Sequence, residues 1–110
     1  MDVQGPARRI RVYIDNNDQW HGMTLYAAIV REARKRGLAG ATVERGILGY
    51  GTHGAIHEPH LFSVSNDLPV VIEMVDTKEK MDDFLPVLEA MVHEGMITIS
   101  EVEIITYPKR

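Results

Sequence analysis

The run Val70-Val71-Ile72-Glu73-Met74-Val75 is the strongest strand in this 110-residue chain, and a helical stripe follows it almost at once. β-branched residues dominate the run and a single charge interrupts it, as suits a strand buried on at least one face. The stripe is Met81, Phe84, Leu85, Leu88, Met91 and Val92, spaced to lie along one side of a helix. Asp76 or Thr77 is the expected cap, with Asp76 and Glu79 at capping-box spacing. Pro86 falls inside the stripe, where it removes a backbone bond and should kink the helix, and Gly95 should end it. A strand this apolar must be covered, and the helix joined to it by so short a link is the natural cover.

The same strand-then-helix unit occurs earlier. Ile10, Val12 and Ile14 alternate within Arg9–Ile14, a first strand, and a polar turn-forming segment containing Trp20 comes next. Thr24 is placed to cap a helix whose Leu25, Ala28, Ile29 and Ala33 recur at helical spacing, and Gly37 stands where a C-terminal stop belongs. A second strand is expected from Ala41 to about Leu48, with strand character resuming at Leu61–Val64. Ile97 and Ile99 suggest a short extension before a last strand over Val102–Tyr107. The order β-α-β-β-α-β predicts an α+β fold, the ferredoxin-like sandwich: a four-stranded antiparallel sheet with two helices on one face. Residues 1–7 are expected to be a loose, disordered tail and residues 8–110 one domain. The uncovered sheet face mixes valine, isoleucine and tyrosine with a few charges, so a partner subunit is expected to cover it.

Sixteen acidic against twelve basic residues give a net charge of −4, which opposes nonspecific nucleic-acid binding. The basic group Arg31, Arg34, Lys35 and Arg36 has no aromatic residues interleaved with it and reads as a solvated helix face. No window reaches the length of apolar sequence that membrane insertion needs, and the polar start M-D-V-Q-G-P-A-R-R is unlike a signal peptide, so a cytoplasmic location is expected. With no cysteine there is neither disulfide nor thiolate chemistry. No nucleophile stands with a base and an orienting acid, so the chain is not expected to be an enzyme.

Chemistry, if present, concentrates in Gly37–His60. Gly46, Gly49, Gly51 and Gly54 are crowded together, and His53, His57 and His60 follow, three of the five histidines. The Gly49–Gly54 cluster suits either a small-anion cradle or a plain hairpin end. The histidine spacings of four and three would let imidazoles share a metal once the loop is ordered, although exposed loop histidines fit as well. Trp20 and His21, at the entry to the first helix, suit stacking on a base beside an anion-friendly helix start, or the plugging of one end of the core. Arg45 is either a charge kept for the site or an ordinary strand residue.

These residues carry a resemblance. W-H-G-x-x-L-Y-x-A-I-V at Trp20–Val30, G-L-A-G-A-T-V at Gly37–Val43, R-G-I-x-G-Y-G at Arg45–Gly51 and D-L-P-V-V-I-E at Asp67–Glu73 resemble the PII-like proteins grouped as domain-of-unknown-function family 190, over about residues 8–107. More distantly, Gly37–Gly54 is similar to the PII signalling proteins, which are trimers with adenine nucleotide in clefts between subunits. The resemblance implies a PII-like homotrimer, with Thr42 near an adenine base and Gly49 and Gly51 presenting backbone amides to phosphates. Tyr50 and Gly54 belong to the same loop base. It also implies a mobile 50–60 loop that reports the bound state to a partner protein, a membrane transporter being the partner that family gene neighbourhoods suggest. The chain departs from PII in having one more residue between Thr42 and the Gly-Tyr-Gly run. It also has Thr52 where PII has a basic residue, and Ile105, Thr106 and Tyr107 where PII has strand arginines. So little phosphate-neutralising charge suits AMP or ADP better than ATP. The alternative is a metal-binding module resembling the CutA proteins, with His53, His57 and His60 as ligands.

Overall fold

The computed structural model describes residues 4–50, 56–57 and 68–107. Four strands form the main sheet: β1 (Gly5–Asp15), β4 (Gly40–Arg45), β7 (Pro69–Asp76) and β8 (Met96–Ile104). Their order across the sheet is β4-β7-β1-β8 and every pairing is antiparallel. With α1 (Leu25–Lys35) and α2 (Lys78–Met91), the main-sheet order in sequence is βαββαβ, the expected ferredoxin-like arrangement. Two small hairpins complete the described elements: β2 (Gln19–Trp20) with β3 (Met23–Thr24), and β5 (Gly49–Tyr50) with β6 (Ile56–His57).

The alternation of the strands decides which residues meet the helices. Ile10, Val12 and Ile14 of β1 and Val70, Ile72 and Met74 of β7 are buried on one face. Against them pack Leu25, Ala28, Ile29 and Ala33 of α1 and Met81, Phe84, Leu88 and Met91 of α2. Each fully buried large side chain contributes about 1.5–3 kcal/mol of transfer free energy, so this single layer supplies most of the fold's stabilisation.

Thr24 occupies the N-cap of α1 by position, but its side chain makes no cap bond; Leu25 N–H is instead taken by Asp18 O at 2.7 Å. The other end of α1 closes as a Schellman motif. Gly37 is left-handed at φ +75°, its N–H reaches Arg34 O, and Leu38 N–H reaches Ala33 O, both at 3.0 Å. Thr77 caps α2, accepting from Lys80 N–H at 3.3 Å, and the helix runs on through Pro86. It ends at Met91, short of Gly95.

Four boundaries differ from expectation. β1 begins at Gly5, so Gly5, Pro6 and Ala7 are strand residues paired with Ile104, Glu103 and Val102 rather than part of a loose tail. Pro6 is tolerated because β7 reaches only as far as Arg8, leaving this part of β1 paired on one side. β4 stops at Arg45, before Leu48. β8 starts at Met96 and ends at Ile104, leaving Tyr107 beyond it. The strand expected at Leu61–Val64 lies outside the described residues.

Candidate functional site

Thr42 and Arg45 lie on β4, an edge strand of the sheet, and both are exposed. Thr42 pairs with Glu73 and therefore shares the sheet face turned away from the helices. Arg45 ends the strand and makes no ion pair among the described residues. The chain then leaves the sheet over a fixed support. Gly46 N–H donates to Pro69 O at 2.7 Å, and a Cβ at Gly46 would stand only 2.7 Å from Pro69 Cγ, so this contact requires glycine. A Cβ at Gly49 would stand 3.4 Å from the same ring, at the edge of ordinary contact. Ile47, Leu48 and Tyr50 project outward, 83%, 62% and 76% exposed.

Trp20 and His21 belong to the β2–β3 hairpin. His21 (φ +48°) and Gly22 (φ +84°) form its turn, and both positive angles match the type I′ geometry that suits two-residue hairpins. The Trp20 ring stacks on His21 with centroids 4.4 Å apart and near His93 at 6.3 Å, while Trp20 packs at the margin of the core. Its partners are thus side chains of its own end of the fold. Arg45, Gly49, Tyr50, Trp20 and His21 all lie at the end of the sheet where β1 and β4 finish, whereas Thr42 lies midway along β4. Gly51, Gly54, His53 and His60, and the side chain of His57, fall outside the described residues. Among the described residues no three His, Cys, Asp or Glu side chains are grouped to hold a metal.

Sequence reasoning missed the charge cluster on the open sheet face. Glu73 Oε1 lies 3.1 Å from Arg11 Nε and 3.5 Å from Arg9 Nε, one carboxylate oxygen shared by two guanidinium groups. The bond to Glu73 holds the Arg11 charge above its already high ordinary range. Arg9 Nε is buried and finds no hydrogen-bond acceptor among the described residues. The few charges expected among the valine, isoleucine and tyrosine of this face are thus gathered into one cluster. Only the register could show this, because Arg11 and Glu73 are 62 positions apart and meet as direct cross-strand neighbours.

Two concavities among the described residues are not lined by Thr42, Arg45 or Gly49, although the second adjoins Thr42 and Arg45 through Glu73 and Glu44. An open groove of about 360 Å³ runs between Arg8, Lys78, Glu101 and Glu103, and a shallower one of about 210 Å³ between Arg11, Tyr13, Glu44, Val71 and Glu73. Among the described residues, Thr42 and Arg45 lie on an exposed edge, and Gly49, Tyr50, Trp20 and His21 lie at one end of the sheet. Among the described residues no helix is long and apolar enough to cross a membrane.

Comparison with known proteins agrees with this architecture. Residues 7–104 match the DUF190 family, described as Uncharacterized ACR. The UPF0166 protein of Aquifex aeolicus (strain VF5) is 38% identical over 96 residues, 87% of this chain and 90% of that one. The UPF0166 protein MJ1524 of Methanocaldococcus jannaschii is 35% identical over 99 residues, 89% of this chain and 91% of that one. Among solved structures, CPII from Thiomonas intermedia K12 bound to ADP and bicarbonate superposes with a TM-score of 0.59 at 17% identity, covering 90% of this chain and 88% of that one. TTHA0516, a PII-like protein from Thermus thermophilus, reaches 0.66 at 15% identity, covering 94% of each chain. At these identities the superpositions establish a PII-like fold.

Proposed function

The chain belongs to the DUF190 family, and from that premise we propose that it is a non-enzymatic, PII-like homotrimeric sensor of a small ligand, an adenine nucleotide with few phosphates such as AMP or ADP. The observation that carries this reading is the placement of Thr42 and Arg45 on an exposed edge strand, with Gly49 and Tyr50 just beyond. Such residues form half of a site, and a neighbouring copy would supply the other half. The similar fold of CPII, whose structures hold ADP with bicarbonate and ADP with AMP, supports adenine nucleotide as the ligand class. Gly49 and Gly51 would bring backbone amides to the phosphates, and Arg45 would add positive charge there. Trp20, His21 and Gly54 complete the candidate set.

The mechanism is a shift between loop conformations. Ligand bound at the base of the 50–60 loop favours one arrangement of that loop, and a partner protein, a membrane transporter in the leading case, reads it. Such a ligand can bias the loop only by as much as its affinities for the two arrangements differ.

The test is a thermal-denaturation series on metal-stripped protein with AMP, ADP, ATP, cyclic nucleotides, bicarbonate, fluoride, Zn²⁺ and Cu²⁺. A ligand that binds only the folded state stabilises it by about 2.7 kcal/mol at a hundredfold excess over its dissociation constant. Stabilisation by AMP or ADP that disappears when Gly51 is replaced by a bulky residue supports the sensor. Stabilisation by metal alone, abolished when His53, His57 and His60 are all changed to alanine, overturns it in favour of a metal-binding module.

A further inference from the structure

Residues in register on neighbouring strands share a face, so the sheet arranges its side chains in rows. On the face away from the helices one row reads Thr42, Glu73, Arg11, Thr98, and the next reads Gly40, Val75, Arg9, Ser100. Two guanidinium groups therefore stand side by side on β1, each with a hydroxyl residue next to it on β8. The acids of β8, Glu101 and Glu103, alternate to the other face, where they line the groove with Arg8 and Lys78. Toward β7 a single carboxylate serves both cations, with Glu73 Oε1 3.1 Å from Arg11 Nε and 3.5 Å from Arg9 Nε. Glu44 on β4 and Asp15 at the end of β1 share this face, but their backbone positions are roughly 12 Å or more from Arg11 by strand spacing. One positive charge is left over. Arg9 Nε, moreover, is buried and has no hydrogen-bond acceptor among the described residues. A buried donor on a charged group is costly to leave unmet, and a partner covering this face would raise that cost by removing water.

We propose that Arg9, Arg11, Thr98 and Ser100 form an oxyanion site that takes a phosphate or sulfate group. Guanidinium forks and hydroxyls supply donors, and an oxyanion supplies acceptors together with the missing negative charge. A tetrahedral group suits the set better than a carboxylate, because its several oxygens reach donors spread over two strands and two rows. The group is either free in solution or the phosphate end of a larger ligand, since Thr42 stands two strands away in the row of Arg11. The site does not rest on the nucleotide reading: its four residues lie on β1 and β8, and none belongs to that candidate set.

Thermal denaturation and titration calorimetry of the full chain with inorganic phosphate, sulfate and AMP test it, each against chloride at equal ionic strength to remove general screening. Phosphate and sulfate should stabilise the protein where chloride does not. Arg9→Gln removes the surplus charge, leaves the Arg11–Glu73 pair, and should weaken phosphate binding on the order of tenfold. Ser100→Ala leaves every charge in place and should weaken it less. Glu73→Gln enlarges the surplus and should tighten it. Opposite signs at Arg9 and Glu73 mark an anion site, since a merely structural cluster would lose stability in both variants without either change in phosphate affinity. If Arg9→Gln loses the responses to phosphate and AMP together, the site holds the phosphate end of a larger ligand; if it loses phosphate alone, the site holds a free oxyanion. Phosphate and sulfate no more stabilising than chloride overturn the site, as does phosphate binding unchanged in both Arg9→Gln and Ser100→Ala. An AMP response that persists in either of those cases leaves the sensor reading intact, whereas phosphate binding without any AMP response overturns the nucleotide reading alone.

Discussion

The two ends of the sheet are built differently. At the end where β7 finishes, Asp76 is fully buried and accepts from Ala39 N–H at 2.8 Å and Thr77 N–H at 2.6 Å. Lys80 Nζ stands 3.9 Å from the same carboxylate and donates to Gly37 O at 3.2 Å. Nearby, Asp82 takes Lys78 at 3.0 Å on one oxygen and Arg8 on the other. One buried anion thus ties the exit of α1 to the entry of α2. At the opposite end, Ile47, Leu48 and Tyr50 are turned to solvent and His21 and His93 are exposed around Trp20. The difference teaches that the buried charge sits where the two helices meet the sheet, at Asp76. Apolar side chains are exposed where the candidate ligand residues lie, as they also are at Ile105 and Tyr107 beyond β8.

The contrast can be broken most forcefully at Asp76. Asp76→Ala strands two backbone donors in the interior and should cost about 3 kcal/mol, read as a fall in the urea midpoint with an unchanged slope. At the other end, Gly46→Ala forces its Cβ against the Pro69 ring and should cost about 1–2 kcal/mol by the same measurement. Gly49→Ala meets that ring at an ordinary distance and should stay within about 0.5 kcal/mol. Any loss of nucleotide stabilisation in that variant would then report the ligand and not the fold; a large loss of stability would show that Gly49 is structural.

The smallest effect is expected at Asp82, whose carboxyl is held below its usual range, first by the bond from Lys78 and then by the charges of Arg8 and Lys78. Because the folded-state value is depressed, this contribution is present above the unfolded carboxylate range and is lost as pH falls through the lower, folded one. Asp82→Asn should flatten the acid limb of a melting-temperature profile slightly. The difference should vanish in high salt, since the group is exposed.

Much of the scaffold was legible because periodicity reports burial. Ile10, Val12 and Ile14, the Val70–Val75 run and the stripes of both helices all lie where their spacing placed them. The start of β1 was hidden because Gly5 and Pro6 disfavour a strand locally, and only pairing with β8 overrides them. Asp76 and Thr77 were equally legible as the cap, because sequence shows short polar residues before a helix but not the loop that folds over Asp76 and buries it. Of the two, Thr77 takes the cap. Trp20 was legible as packing or stacking, and the hairpin with His21 and His93 shows how it is held. Ile47 and Leu48 read as the last residues of a strand that stops at Arg45, and their outward direction follows Gly46 resting on Pro69.

That rest has a counterpart at the residue just before Pro69. Asn16 N–H donates to Leu68 O at 2.9 Å and Leu68 N–H returns to Asn16 Oδ1 at 3.0 Å. Together with the Gly46–Pro69 bond, these fasten both points where the chain departs from and rejoins the sheet. The closure entropy of everything between them is therefore already met by the sheet, and lengthening that insert costs little, about 0.6 kcal/mol for each doubling. The fold behaves as a socket: the segment between these two fastenings can change in length without renegotiating the stability of the domain that carries it.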